Sequence, residues 1–387
     1  MLINATSLIN QLTPRLDQYL ADLRTLTAID SGSEHKPGVD AVQDWLAARL
    51  SRLGCAVERH HETHYGDHLL ATLTGAGAGK IVLLGHSDTV YPLGTATQRP
   101  MQIVGDIVRG PGTCDMKAGL LSGIYAMEAL LALGWRDFGQ IVFLSVSDEE
   151  TGERCSPPLI RAVSEGADAV LTLEAARANG DIVTARKAIA WYTVTARGRS
   201  AHAGVEPEKG RNAIMALAGL LQAVNRLNNM RPGVTINVGV IEGGARPSVV
   251  PDFAQAQLDL RAWTQTDMDA AFAAIAECVA NAQADGITFE LTLQPDSTAP
   301  PLEYTPGVQW LEALTQAVAA ELGFAVHGAR TGGSSDICFA AQTGAPGLDG
   351  LGPIGGLDHG PDEYIELSSI VPRTALLAGV MVRGFQQ

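Results

Sequence analysis

The chain has 387 residues, of which 46% are hydrophobic and only 18% charged, with 42 glycines; this suits a compact α/β enzyme better than a coiled coil or a disordered chain. Its formal charge of 27 − 42 = −15 repels phosphate backbones and anionic lipid, so nucleic acid and membrane surfaces are poor candidate partners. Five cysteines (Cys55, Cys114, Cys155, Cys278 and Cys338) form no C-x-x-C pair, and reduced thiols in a cytoplasmic protein are the plain reading.

Leucines at helical spacing predict a helix over residues 6–28, capped by Ser7 or Thr6. Pro14, Arg15, Asp17, Asp22 and Arg24 interrupt that stretch, so it is not read as a signal peptide. No apolar run reaches the roughly 18 residues a membrane helix needs. A second helix is predicted over 39–53, ending at Gly54. Strands follow at 68–73 and 80–85. The Gly75–Lys80 link between them resembles a phosphate loop only faintly, because no Ser or Thr follows the Lys and a strand comes next. It is read as a hairpin turn.

A helix over 116–133, a strand over 140–146, a helix from Pro157 and a strand over 169–173 complete a βα alternation. The alternation predicts a mostly parallel sheet covered on both faces. Residues 188–297 read differently, as a β-α-β-β-α-β series of the ferredoxin-like kind. The expected organisation is therefore a catalytic domain in two parts (1–187 and 298–387) with an inserted α+β domain (188–297). Helices over 304–322, 337–342 and 367–385 close the chain.

Acidic and His residues gather just after the apolar strands, where open α/β sheets form their sites. His86 and Asp88 stand two apart after the strand 80–85 and can share a face. Asp115 enters a helix from a Gly-rich loop, and by itself reads equally as a helix cap. Asp148, Glu149 and Glu150 are three adjacent carboxylates at a strand end. Their repulsion calls for a cation or a raised pKa, unless they form a solvated acidic turn. Glu174 ends a buried strand, and His359 stands in a Gly-rich loop. Singly each is weak; together they form a plausible two-metal set, for which mixed His and carboxylate donors suit zinc, with cobalt or manganese as substitutes. His60, His61, His64 and His68 form a rival cluster. Cys114 and Cys155, near the acidic segments, read as packed thiols rather than ligands.

Six ordered segments then carry a resemblance over nearly the whole chain. They are Gly85–Val90, Gly110–Lys117, Asp148–Gly152, Ser200–Gly204, Arg330–Asp336 and His359–Tyr364. The chain resembles the zinc aminoacylase and carboxypeptidase family, which includes glutamate carboxypeptidase, acetylornithine deacetylase and succinyl-diaminopimelate desuccinylase. The glutamate carboxypeptidase branch is the nearest. The resemblance implies two zinc ions per subunit. His86, Asp115 and Glu174 would hold one; Asp115, Glu150 and His359 would hold the other. Asp88 would orient His86, Glu149 would be the general base, and the peptide after Asp115 would be cis.

The inserted domain would then be a lid and the dimerisation surface of a homodimer, with His202 reaching the partner subunit's site to steady the oxyanion. Arg261 would meet the substrate's carboxylate, although its strand-end position also suits an ordinary salt bridge. Asn212 and Arg330 are further substrate-binding candidates. The implied reaction is hydrolysis of a small peptide or N-acyl-amino acid beside a free carboxylate. Carboxypeptidase and N-deacylase share this chemistry. Two other classes stand beside it: a non-catalytic binding protein on the same fold, which predicts a damaged metal set, and a nucleotide enzyme built on the loop at Lys80. Two departures bear on substrate. Ala175 follows Glu174 where the nearest branch has Pro, and Ser248 stands before Val249-Val250-Pro251 where it has Asn. The Lys shortly after the glutamate ligand and the Arg near the lid exit that aid glutamate binding in that branch have no clear equivalent near Ile182 or Pro300, and Arg177 is the candidate substitute for the Lys.

Overall fold

A computed structural model describes residues 3–284 and 286–385. They form two compact units: residues 3–185, 303–331 and 335–385 make the first, and residues 186–302 with 332–334 the second.

The first unit is built on a six-stranded mixed sheet. Strands β1 (Ala56–His60), β2 (His68–Thr74), β3 (Lys80–His86), β4 (Gln140–Val146) and β5 (Ala169–Thr172) lie in the order β1-β2-β4-β3-β5, and Gly347–Leu348 adds a short last edge. β3 pairs parallel with β4 and with β5, and Gly347–Leu348 pairs parallel with β5. β1 and β2 are antiparallel to their neighbours. The parallel strands are buried on both faces, which explains their unbroken runs of Ile, Val and Leu. This bears out the α/β reading of a mostly parallel sheet.

Two local expectations are corrected. β2 and β3 are not a hairpin, because β4 lies between them. The glycine link instead bonds sideways to the entry of β4, through Gly75 N–H to Gly139 O and Ala76 N–H to Arg136 O. The N-terminal helix is also broken. α1 (Ala5–Leu12) and α2 (Leu16–Thr27) are separated by a 3₁₀ turn at Thr13–Arg15, where Pro14 lacks an N–H. Its cap is Asn4, whose side chain accepts from Ser7 N–H while Ser7 Oγ accepts from Asn4 N–H.

α3 (Lys36–Arg52) begins with Pro37 in its first turn. α4 (Ala118–Ala132) is buried almost all round, consistent with its apolar sequence. It lies close to the end of β5. A Cβ at Gly119 would fall 1.7 Å from the Leu173 carbonyl oxygen, so only glycine permits this approach beside Glu174.

The helix Ile370–Gly384 carries Arg373, which is 2% exposed. Its guanidinium donates to the carbonyls of Gly352 (3.1 Å), Gly180 (3.0 Å) and Gly350 (2.5 Å). Burial pulls its pKa down to about 10, against the attraction of Asp181. Arg373→Ala would leave three buried acceptors without this donor. A loss of about 3 kcal/mol in urea unfolding is expected; a variant that unfolds at the parent's midpoint would show that the three bonds contribute nothing net.

The second unit has four antiparallel strands, β6 (Ala188–Arg197), β7 (Thr235–Gly243), β8 (Phe253–Ala262) and β9 (Thr288–Ala299), in the order β7-β8-β6-β9. β6 and β8 alternate in burial, as strands with one covered face do. That face packs with α5 (Ala213–Asn225) and α6 (Gln265–Asn281) around Val194, Leu217, Leu258, Leu260 and Ile275. Its outer strand β7 is exposed along most of its length, including Val238, Val240 and Ile241.

Candidate metal centre

The first unit brings together side chains from five separate segments. His86 is the last residue of β3 and is fully buried. Its Nδ1 lies 3.0 Å from the backbone carbonyl of Asp88 and 3.4 Å from the Asp88 carboxylate. The carbonyl is thus the nearer partner. Asp88 Oδ2 accepts instead from Ser33 Oγ (2.7 Å) and from Glu150 N–H (3.2 Å). His86 Nε2 faces Asp115 Oδ1 at 2.9 Å and Glu174 Oε1 at 3.3 Å.

Asp115 sits in the irregular turn Thr113–Lys117 that leads into α4, and its peptide bond to Met116 is cis, as the resemblance implies. Its second oxygen, Oδ2, lies 3.2 Å from His359 Nε2, and that nitrogen is 3.1 Å from Glu150 Oε2. The two oxygens of one carboxylate therefore face two different imidazoles. His359 has a backbone φ of 60°. Potential donor atoms of His86, Glu149 and Glu150 also lie within 4.8 Å of one another, as do those of Asp115, Asp358 and His359.

Burial pushes the carboxyls of Glu149, Glu150 and Glu174 above the ordinary carboxylate range, the latter two to about 7, and neighbouring carboxylates add to the rise. Asp115 moves the other way. Burial raises it, but the hydrogen bonds of His359 and His86 outweigh burial and hold it well below that range. His86 is held well above its ordinary value: burial opposes the charge, yet Asp115, Asp88 and Glu174 prevail. Hydrogen bonds to Asp115 and Glu150 raise His359 to about 11.

A pair of divalent cations fits this donor set. Imidazole and carboxylate are zinc ligands, the carboxylates are crowded enough to hold protons near neutrality, and the buried Glu150 Oε1 has no hydrogen-bond partner.

Of the three adjacent carboxylates, Asp148 has a different task. It is buried, and its Oδ2 accepts from Cys155 N–H (2.6 Å) and Ser156 N–H (3.1 Å). His202, Asn212 and Arg261 belong to the second unit. His202 is exposed, and its Nδ1 accepts from Gly204 N–H. Asn212 caps α5 by accepting from Met215 N–H. Arg261 makes the strand-end ion pair, with Nη2 2.8 Å from Asp259 Oδ2, and Nη1 donates to Gly332 O at 2.7 Å. Arg330, in the first unit, is exposed, with its guanidinium 5.2 Å from the centroid of Tyr304.

Sequence reasoning missed Glu363. Its carboxylate accepts from three consecutive or near-consecutive backbone groups: Gly112 N–H (2.9 Å), Cys114 N–H (2.7 Å) and Asp115 N–H (3.0 Å). It thereby fixes the turn that presents Asp115. Its signal in the sequence is an acid four residues beyond His359 in a Gly-Pro turn. Glu363→Ala would leave those N–H groups unpaired at about 1–3 kcal/mol each. A fall in stability of about 3 kcal/mol or more is expected for the metal-free protein, with weaker metal retention. Glu363→Gln keeps an acceptor oxygen and should lose less; equal losses would mean that the charge, not the acceptor, matters.

The family described as Peptidase family M20/M25/M40 matches residues 82–383. Carboxypeptidase G2 of Pseudomonas sp. (strain RS-16) is 28% identical over 367 residues, covering 93% of this chain and 87% of that protein. A succinyl-diaminopimelate desuccinylase of Xanthomonas oryzae pv. oryzae is 28% identical over 358 residues, covering 88% and 93%. Among solved structures, the aminopeptidase PepT of Bacillus cereus superposes with a TM-score of 0.85 at 23% identity, covering 96% of this chain and 99% of that one, which shows a shared fold.

Proposed function

Because the chain belongs to peptidase family M20/M25/M40, a family of metal-dependent hydrolases, we propose that it cleaves the amide bond of an N-acyl-amino acid or small peptide beside a free carboxylate. The observation that carries this reading is the Asp115 carboxylate shared between His86 and His359. His86, Asp115 and Glu174 would hold one zinc ion, and Asp115, Glu150 and His359 the other, with cobalt or manganese as substitutes. Bound zinc lowers the pKa of water and polarises a carbonyl. Glu149 accepts the proton of the attacking water and returns it to the leaving amine, a role suited by a carboxyl pushed above its usual range. Asp88, through its carbonyl and carboxylate, keeps His86 turned toward Asp115.

His202 of the partner subunit is proposed to stabilise the developing oxyanion, and Arg261 to receive the substrate carboxylate in exchange for Asp259. Asn212 and Arg330 are proposed as outer substrate contacts. The exposed apolar residues of β7 support a homodimer formed through the second unit. A cytoplasmic site of action is supported by five free cysteines. Among the described residues, no helix is long and apolar enough to cross a membrane.

The test is amine release from a panel of N-acyl-amino acids and dipeptides, including members with C-terminal glutamate, with zinc or cobalt added and a chelator control. Chelator-sensitive release is expected. Preference for peptides or for acetyl and succinyl groups separates carboxypeptidase from deacylase. No release from any member by the metal-loaded protein would overturn the proposal.

A further inference from the structure

The histidine cluster of the sequence does not stay together. His61 Nδ1 turns to Asp67 Oδ2 at 2.7 Å. His68, at the start of β2, points inward and is 1% exposed. Its Nε2 lies 3.5 Å from Cys155 Sγ and 3.8 Å from Glu62 Oε1, and the donor atoms of these three residues all lie within 4.8 Å of one another. We propose that Glu62, His68 and Cys155 form a further metal site, separate from the Asp115 centre, that takes a thiophilic divalent cation such as zinc.

Three observations carry it. The first is spacing: tetrahedral zinc, with bonds of about 2.05 Å to N and 2.3 Å to S, sets N and S about 3.6 Å apart, close to the 3.5 Å of His68 and Cys155, and N and O about 3.4 Å apart, so Glu62 at 3.8 Å would close in slightly on binding. Secondly, the tautomer of His68 is fixed by its neighbour. Ser147 Oγ donates its single hydrogen to Gly66 O, so toward His68 Nδ1, 3.0 Å away, it must accept. Nδ1 therefore carries the proton, and the lone pair of Nε2 faces Cys155 and Glu62. Thirdly, the thiol hydrogen has two acceptors in reach, Asp148 Oδ2 at 3.1 Å and the Nε2 lone pair at 3.5 Å. Once that hydrogen has left, the Nε2 lone pair, the thiolate and the Glu62 carboxylate converge, an arrangement that a cation satisfies. Burial holds His68 below its ordinary pKa, in the neutral form that binds metal, whereas burial and Asp148 push the Cys155 thiol up, so the metal must displace its proton.

On binding, the S–H bond breaks, a sulfur–metal bond forms and the proton leaves to solvent. The thiolate and the Glu62 carboxylate then offset a divalent charge, with the Asp148 carboxylate 3.1 Å from the sulfur as a further negative group. The Glu62 side chain is 32% exposed, which leaves an entry path and a fourth position for water. The ion would tie the loop before β2 to the segment just after Glu149 and Glu150.

Cobalt tests the site, because the Asp115 centre contains no sulfur. The metal-free protein titrated with Co2+ should show a thiolate-to-cobalt charge-transfer band in the near ultraviolet. Cys155→Ser should lose that band and bind one ion fewer per chain than the parent. Glu62→Gln, at a partly exposed position, should keep the band but need at least tenfold more cobalt to reach it. Added zinc should also slow alkylation of Cys155, read by peptide mass spectrometry, at least tenfold. A parent without the band, or a Cys155→Ser protein that binds as many ions as the parent, would overturn the proposal. The readout is a difference between two proteins, so it stands whatever the Asp115 centre binds or cleaves.

Discussion

Glu149→Gln is expected to lower kcat by about 10²–10⁴ while leaving metal content unchanged. Gln matches Glu in size and keeps an acceptor oxygen, so the donors around it are not disturbed, but it cannot take a proton from water. The effect should fall on kcat and kcat/KM alike, since proton transfer belongs to the transition state. The pH profile gives an independent check. A base works deprotonated, so the parent's rate should fall as pH falls through the Glu149 pKa. Burial and the carboxylates of Glu153, Glu150 and Glu174 lift that value, against the pull of His86. The acid limb should be absent from the variant's residual activity. A variant that hydrolyses at the parent's rate would move the base to another residue.

Asp115→Asn is expected to lose metal as well as activity. Asp115 hydrogen-bonds both histidines, one with each oxygen, and an amide offers one oxygen and an NH2 group in their place. Metal content measured after gel filtration should drop by at least one ion per chain, with activity down by about 10³ or more, comparable to losing the bridging ligand of a two-metal site. Retention of the full complement would show that Asp115 does not bridge.

The same substitution should flatten the pH dependence of stability in the metal-free protein. Asp115 is depressed in the folded state, so its contribution is present above the ordinary Asp pKa of about 3.9 and is lost as pH falls through the depressed value. His359 is raised to about 11, so its contribution is complete below the ordinary His pKa of about 6.5 and is lost as pH rises toward 11. The parent should therefore be at its most stable, by this pair, between those two ordinary values. The variant should lack the acid flank and keep part of the alkaline one, because Glu150 still faces His359 at 3.1 Å.

The fold class was legible because its parallel strands are buried on both faces and therefore apolar throughout, as in Lys80–His86 and Ala169–Thr172. The second unit was legible through the alternation of Trp191–Ala196 and Ala256–Arg261. What failed depended on distant partners. The link at Gly75–Lys80 looks like a hairpin until Gln140–Val146 is placed between its two strands, and nothing near Gly75 signals that strand. The residues that the structure gathers around Asp115 stood out because each follows a strand or sits in a glycine-rich loop. The resemblance supplied the roles of Glu149 and Glu150, but the separate task of Asp148 was not legible, since it follows from backbone donors at Cys155 and Ser156. Glu363 was missed for a related reason: it touches only main-chain groups, and those carry no residue-type signature.

The division of Asp115 between two imidazoles also imposes an order on biosynthesis. A growing chain exposes His86, Asp115 and Glu174 early, whereas His359 emerges from the ribosome 244 residues after Asp115. Glu363, which braces the Asp115 turn, arrives later still. Strand β5 likewise waits for Gly347–Leu348 to cover its edge. The nascent protein thus passes through a long interval in which it can offer one complete candidate ligand set and two of the three members of another.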